Sequence, residues 1–165
     1  MWFIYRKELL SKVNLSRKNW HGSTQCCFCD DSETIQHIFI DCLLAKLVWR
    51  IVYMTFHIAP PANISNLFGN WLYGVPKKEK AQIRVGACAL LWAIWHVRNE
   101  IVFNKSKASS FLQVIPLATH WIRTWSLLQP VECRQDMDSR CALLETVARE
   151  FFNQFSWQLN FRITC

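Results

Sequence analysis

Apolar residues recur every three or four positions along most of this chain, the spacing of helices that bury one face. Over the first twenty residues Phe3, Leu9, Leu10 and Val13 alternate with basic positions, which predicts a helix leaving at Asn19-Trp20-His21-Gly22. A second pattern, Ile38, Cys42, Leu43, Leu47, Ile51 and Met54, predicts one long helix or two with a kink over 36–57. Ala59-Pro60-Pro61-Ala62 stops it, because neither proline has an N–H to donate and each restrains its predecessor. Ser65 to Leu72 reads as a short helix capped by Ser65. After Gly74-Val75-Pro76 the longest helix is expected over 77–103, with Ile83, Leu90, Leu91, Ile94, Val97 and Ile101 on one side. Further helices are expected from Phe111 to Leu128, with Pro116 early in it, and from Asp136 to Phe152, capped by Asp136 or Asp138. The tail 155–165 only alternates apolar and polar residues. Strand-rich regions and internal repeats are absent from the pattern, so the expected fold is mostly α: a small metal-knuckle module followed by a helical extension.

The breaks divide the 165 residues into a module over 1–58, a linker with a short helix over 59–76 and an extension over 77–165. Apolar residues make up 52 % and charged residues 19 %, a balance that favours a packed core over disorder. The formal charge of +7 is uneven: residues 1–20 carry +4, residues 21–50 carry −2 and residues 77–107 carry +5. Two basic stretches thus flank a slightly acidic segment, a pattern compatible with phosphate contacts and equally with ordinary solvated helix faces. The longest apolar run, Val85 to Trp95, is far shorter than the roughly 20 residues of a membrane helix. Without a signal-peptide pattern at the start, a soluble intracellular protein of nucleus or cytoplasm, its thiols reduced, is expected.

The acidic segment holds the sharpest chemical signal. Cys26, Cys29, His37 and Cys42 are spaced Cys-x2-Cys-x7-His-x4-Cys, and three thiolates with one imidazole make a closed tetrahedral set for Zn²⁺. A closed set leaves no position for water or substrate, so the reading is structural zinc. A tight turn lets the first two sulfurs converge beside backbone amides that can hydrogen-bond to them. His37 and Cys42 are five residues apart, one more than a helical turn, so the helix must loosen to aim both at one ion. Cys27 could replace Cys26, although a pair separated by one residue is a more strained chelate, and His21 is a reserve imidazole. Zinc contributes on the order of 10–16 kcal/mol in such peptides. A small helical core gives only about 3–5 kcal/mol, so residues 1–58 are expected to need the metal to fold.

Several blocks together resemble the zinc-binding domain that follows the reverse transcriptase in plant LINE-type (non-LTR) retrotransposons. They are Cys26-Cys27-Phe28-Cys29, Glu33-Thr34-Ile35-Gln36-His37-Ile38-Phe39, Cys42, Ala45 and Trp49. Leu9 to Trp20 resembles the preceding helix and loop, and Trp92-Ala93-Ile94-Trp95-His96-Val97-Arg98-Asn99 through Phe103 resembles a signature that often follows. The resemblance covers about residues 1–107 and implies Cys26, Cys29, His37 and Cys42 as the zinc ligands. It further implies that Glu33 and Thr34 shape or cap the start of the ligand helix, with Phe39 and Trp49 in the core. The paired aspartates of the family's polymerase have no counterpart here, since Asp30-Asp31 lies in the zinc loop.

Three functions compete. As an accessory module the chain would bind RNA or single-stranded DNA weakly, through Arg17, Lys18, Trp20, Lys77, Lys78, Lys80 and Arg84. As a zinc-stapled spacer it would dock against the reverse transcriptase domain of a parent element, with Arg98 and Asn99 bonding across helices. Catalysis is not expected: Cys88 and His96 are eight residues apart with no orienting third group.

Overall fold

In the computed structural model the described residues are 2–104 and 113–155. The helices are α1 (Trp2–Tyr5), α2 (Lys12–Ser16), α3 (Leu43–Phe56), α4 (Ile64–Phe68), α5 (Lys77–Asn104), α6 (Val114–Ser126) and α7 (Val131–Phe155). A single π turn, His37–Asp41, precedes α3. Among the described residues there is no strand, only an antiparallel bridge between Gln25 and Ser32. The mostly helical fold read from the pattern is therefore the observed one.

The long helices follow the apolar period closely. Along α5, Leu90, Leu91, Ile94, Val97 and Ile101 are buried, while α7 buries Met137, Cys141, Leu144 and Ala148 at matching intervals. α5 packs on α6, α6 on α7, α7 on α3, and α5 also reaches the π turn. One continuous buried cluster runs from Ile4 through the knuckle and α3 to Phe152. A smaller one, Ala89, Ile122, Met137 and Cys141, fills the space among α5, α6 and α7. In α6, Pro116 lies in the first turn, where a missing N–H costs no helical bond.

The short elements depart from the pattern. The helix expected across the first twenty residues is two pieces, because Lys7 takes a left-handed φ of 58° and Asn14 Nδ2 donates to the carbonyls of Lys7 and Leu9. Ser11 then caps α2 by accepting from the Asn14 N–H, and Phe3 and Leu10 face solvent rather than a core. The exit at Asn19 does occur there, with φ 63° and the Trp20 N–H on the Leu15 carbonyl. α4 is capped by Asn63, not Ser65: the Asn63 carboxamide oxygen accepts from the Asn66 N–H at 2.8 Å. α7 starts five residues before Asp136, right after Pro130, whose carbonyl accepts from Cys133 and Arg134. That first turn is largely exposed and so has no apolar period to announce it. Arg134 also ties the preceding turn by donating to the carbonyls of Leu127 and Gln129. The expected start of α6 at Phe111 and the alternating tail beyond Phe155 lie outside the described residues.

Candidate metal centre

Three short segments build the centre. Residues 25–32 form a tight loop closed by the bridge and by the Cys26 N–H on the Asp31 carbonyl at 2.9 Å. This loop presents Cys26 and Cys29 on one side. Thr34 then starts the next turn, its hydroxyl accepting from the His37 N–H at 3.0 Å and its carbonyl from Ile38. The chain winds one residue wider than an α-helix, so that the Cys42 N–H meets the His37 carbonyl at 2.7 Å. This π turn is the loosening that a five-residue separation demands, and it brings His37 and Cys42 to the same point. At Cys42 the backbone turns extended (φ −58°, ψ 145°) before α3 begins.

The donor atoms of Cys26, Cys29, His37 and Cys42 all lie within 4.8 Å of one another. Cys26 Sγ and Cys42 Sγ are 3.7 Å apart, and Cys29 Sγ is 3.1 Å from His37 Nε2. Two sulfurs at about 2.3 Å from a tetrahedral zinc would sit about 3.8 Å apart, so the cluster fits that ion. Nε2 of His37 faces the sulfurs, while Nδ1 points away from them and lies 3.9 Å from the Asp31 carboxylate, beyond hydrogen-bond distance. The Phe28 N–H reaches Cys26 Sγ at 3.4 Å, the backbone support expected for a thiolate in such a turn.

Charge explains why a cation belongs here. The hydrogen bond from Cys42 holds the Cys26 thiol down to about 4 against the opposing effect of burial, with help from His37 and the Phe28 N–H. That same bond, with burial, pushes Cys42 up, and burial also raises Cys29. Burial alone would lower His37, but the Cys26 thiolate and the carboxylates of Asp31 and Asp41 outweigh it and raise it. Gathering three sulfurs in one buried place disfavours their joint ionisation, and a bound cation would offset that cost. Soft sulfur and imidazole donors in a closed set suit zinc.

Cys27 is fully buried but stands outside the cluster, with Lys12 Nζ donating to its sulfur at 3.1 Å. His21 is exposed and also outside it. Phe39 and Trp49 are core residues, joined by the Trp49 indole N–H on the Phe39 carbonyl at 2.9 Å.

Glu33 has a different place from the one expected. It is fully buried and caps nothing on the ligand turn; its carboxylate takes the Lys12 N–H at 2.9 Å and pairs with the guanidinium of Arg98 through both oxygens. Arg98, 1 % exposed, also donates to Asn99 Oδ1 and lies 5.0 Å from the Trp95 ring centre. This pair joins α5 to the knuckle across 65 residues. No local pattern in the sequence marks Glu33 as the partner of Arg98.

The basic residues proposed for nucleic acid do not form one surface. Arg17 and Lys18 are exposed at the end of α2, beside the knuckle, and Trp20 is half-buried. The Trp20 ring packs against the Gly22 backbone and occupies the space that a Cβ there would need. Lys77, Lys78, Lys80 and Arg84 occupy the first turns of α5, whereas Arg98 marks where that helix meets the knuckle. At 1.5 Å per residue, Lys78 is about 30 Å along the axis from Arg98. Cys88 and His96 are about 12 Å apart along the same helix and are not brought together.

Residues 1–49 match the family described as zinc-binding in reverse transcriptase. No curated protein and no solved structure matches the chain. Among the described residues no helix is long and apolar enough to cross a membrane.

Proposed function

We propose that this chain carries a reverse-transcriptase-type zinc module of plant LINE-type retroelement origin, which holds one structural Zn²⁺ and binds RNA or single-stranded DNA weakly. The observation that carries this reading is the convergence of Cys26, Cys29, His37 and Cys42 within 4.8 Å, inside the segment that matches the family. All four positions of a tetrahedral ion are taken by protein, so the metal supplies folding energy and no open site for chemistry. The module acts without catalysis, in the nucleus or cytoplasm, next to the reverse transcriptase domain of a parent element. Metal analysis of the purified chain tests the first half: one equivalent of zinc is expected, lost in Cys29→Ser together with helical content. Fluorescence anisotropy with single-stranded oligonucleotides tests the second, and affinity should fall steeply with salt.

A second reading, a zinc-stapled spacer that binds protein, draws on Trp92, 45 % exposed on α5, and on Arg98 being committed to an internal pair. Assembly that grows with concentration in size-exclusion chromatography, without salt-sensitive nucleic-acid affinity, would favour it.

A further inference from the structure

We propose that the cleft between α2, the Thr34–Gln36 segment and α4 is where a nucleic-acid strand places its phosphates. The inference rests on the nucleic-acid reading above and assigns it to one face. The cleft, about 440 Å³, is lined by Lys7, Asn14, Arg17, Thr34, Asn63 and Ser65 among others, and no carboxylate lines it.

Asn14 organises both cations. Its Nδ2 donates to the carbonyls of Lys7 and Leu9, which pins the left-handed turn that carries Lys7. Its Oδ1 accepts from Arg17 Nη1 at 3.5 Å. One carboxamide therefore keeps two positive side chains on the same opening. Among the described residues neither Lys7 nor Arg17 has a salt bridge, so their charge is available to a ligand. Hydroxyl and amide groups around them offer the neutral donors that commonly accompany basic side chains on phosphate oxygens.

The start of α5 is the contrasting case. The cleft beside Lys78, about 250 Å³, is also lined by Arg140, but Glu79, Glu132 and Asp136 share it, and Arg140 is paired with Asp136 at 2.9 Å. Two cations face three carboxylates in that cleft, so its own lining offers a polyanion no net attraction; Lys77, Lys80 and Arg84 lie outside it. The charged lining of the first cleft is thus purely cationic, whereas that of the second is mixed.

The test is anisotropy on the full zinc-loaded chain with a single-stranded oligonucleotide, across 0.05–1 M salt, which is roughly where counterion release is read. Lys7→Ala with Arg17→Ala should reduce the slope of log affinity against log salt by about 1.4, since each single-strand phosphate contact contributes about 0.7. With curves converging near 1 M, that is about a 25-fold weaker complex at 0.1 M. Lys7→Arg with Arg17→Lys should keep the wild-type slope, and Lys77→Ala with Lys78→Ala should change it by less than half as much. An unchanged slope in the Lys7/Arg17 alanine variant, with wild-type binding intact, overturns this assignment and leaves the broader reading standing. No oligonucleotide binding by the wild type overturns both, and tight binding of inorganic phosphate alone would show a small-anion pocket in place of a strand groove.

Discussion

The knuckle and the three-helix half of this molecule share one apolar core but differ in what is added to it. Residues 2–42 contain two helices of 4 and 5 residues, too short to persist alone, and their shape is set by polar contacts and by four converging metal donors. α5, α6 and α7 are 28, 13 and 25 residues long and are held by interdigitated apolar faces. The knuckle buries Glu33, His37, Lys12 and Ser11; among the described residues after α4 only Arg98, Thr119 and Ser126 are buried polar groups. A fold made of short segments needs strong, directional ties, while long helices need only the right stripe. Arg98 stands where the two modes meet.

Metal removal is the harshest test of that contrast. Chelation of the zinc-loaded chain should remove on the order of 10–16 kcal/mol of apparent stabilisation from the knuckle. Hydrogen exchange should then show the amides of α2, the π turn and the start of α3 unprotected, with α6 and α7 still protected and α5 frayed near Arg98. Uniform loss across the chain would mean that the halves form one cooperative unit, and the contrast would fail.

Next in size is the tie between the halves. Glu33→Ala leaves the Arg98 guanidinium buried without a counter-charge and orphans the Lys12 N–H, so unfolding in urea should lose about 3–5 kcal/mol. Glu33→Leu combined with Arg98→Met should recover much of that, because a buried pair replaced by apolar groups is often near neutral. Equal losses in the single and double variants would show that the pair acts through the Lys12 N–H alone.

How much of this could be read beforehand follows the same division. The bounds of α5 were legible to within one residue from its stripe, and the ligand spacing foretold both the cluster and the loosened turn between His37 and Cys42. The interruption at Lys7 was hidden, since it depends on Asn14 bonding backward to two carbonyls that no periodicity reveals. Asn63 won the cap over Ser65 by lying one residue before the turn that packs. The Glu33–Arg98 pair was legible from one side only: Arg98 was expected to bond across helices, but a contact across 65 residues has no local pattern that names Glu33 as its partner.

Within the helical half a packing defect should cost somewhat less than the broken tie. Leu91 is fully buried in the main cluster, so Leu91→Ala should lose about 2–5 kcal/mol in urea unfolding. Zinc affinity, measured by competition with a chromophoric chelator, should stay within a few-fold of wild type. A large fall in metal affinity would show that packing, rather than the polar frame, also shapes the donor cluster.

The smallest effect is expected at the helical half's own ion pair. Arg123 donates to both oxygens of Glu145, at 2.6 and 3.2 Å, and the Thr119 hydroxyl adds a third bond. These contacts hold the Glu145 carboxyl below its ordinary 4.5, Arg123 first among the causes. A depressed carboxylate contributes stability above pH 4.5 and loses it as the pH falls through the lowered value. The side chains are 38 % and 29 % exposed, so solvent screens the pair and its contribution should stay within about 1 kcal/mol. Thermal melts from pH 7 to 3 should therefore show Glu145→Gln losing a little at neutral pH and converging on wild type as Glu145 itself is protonated. A drop as large as that of Glu33→Ala would mean that α6 and α7, like the knuckle, depend on directional ties, and that apolar length alone does not hold them.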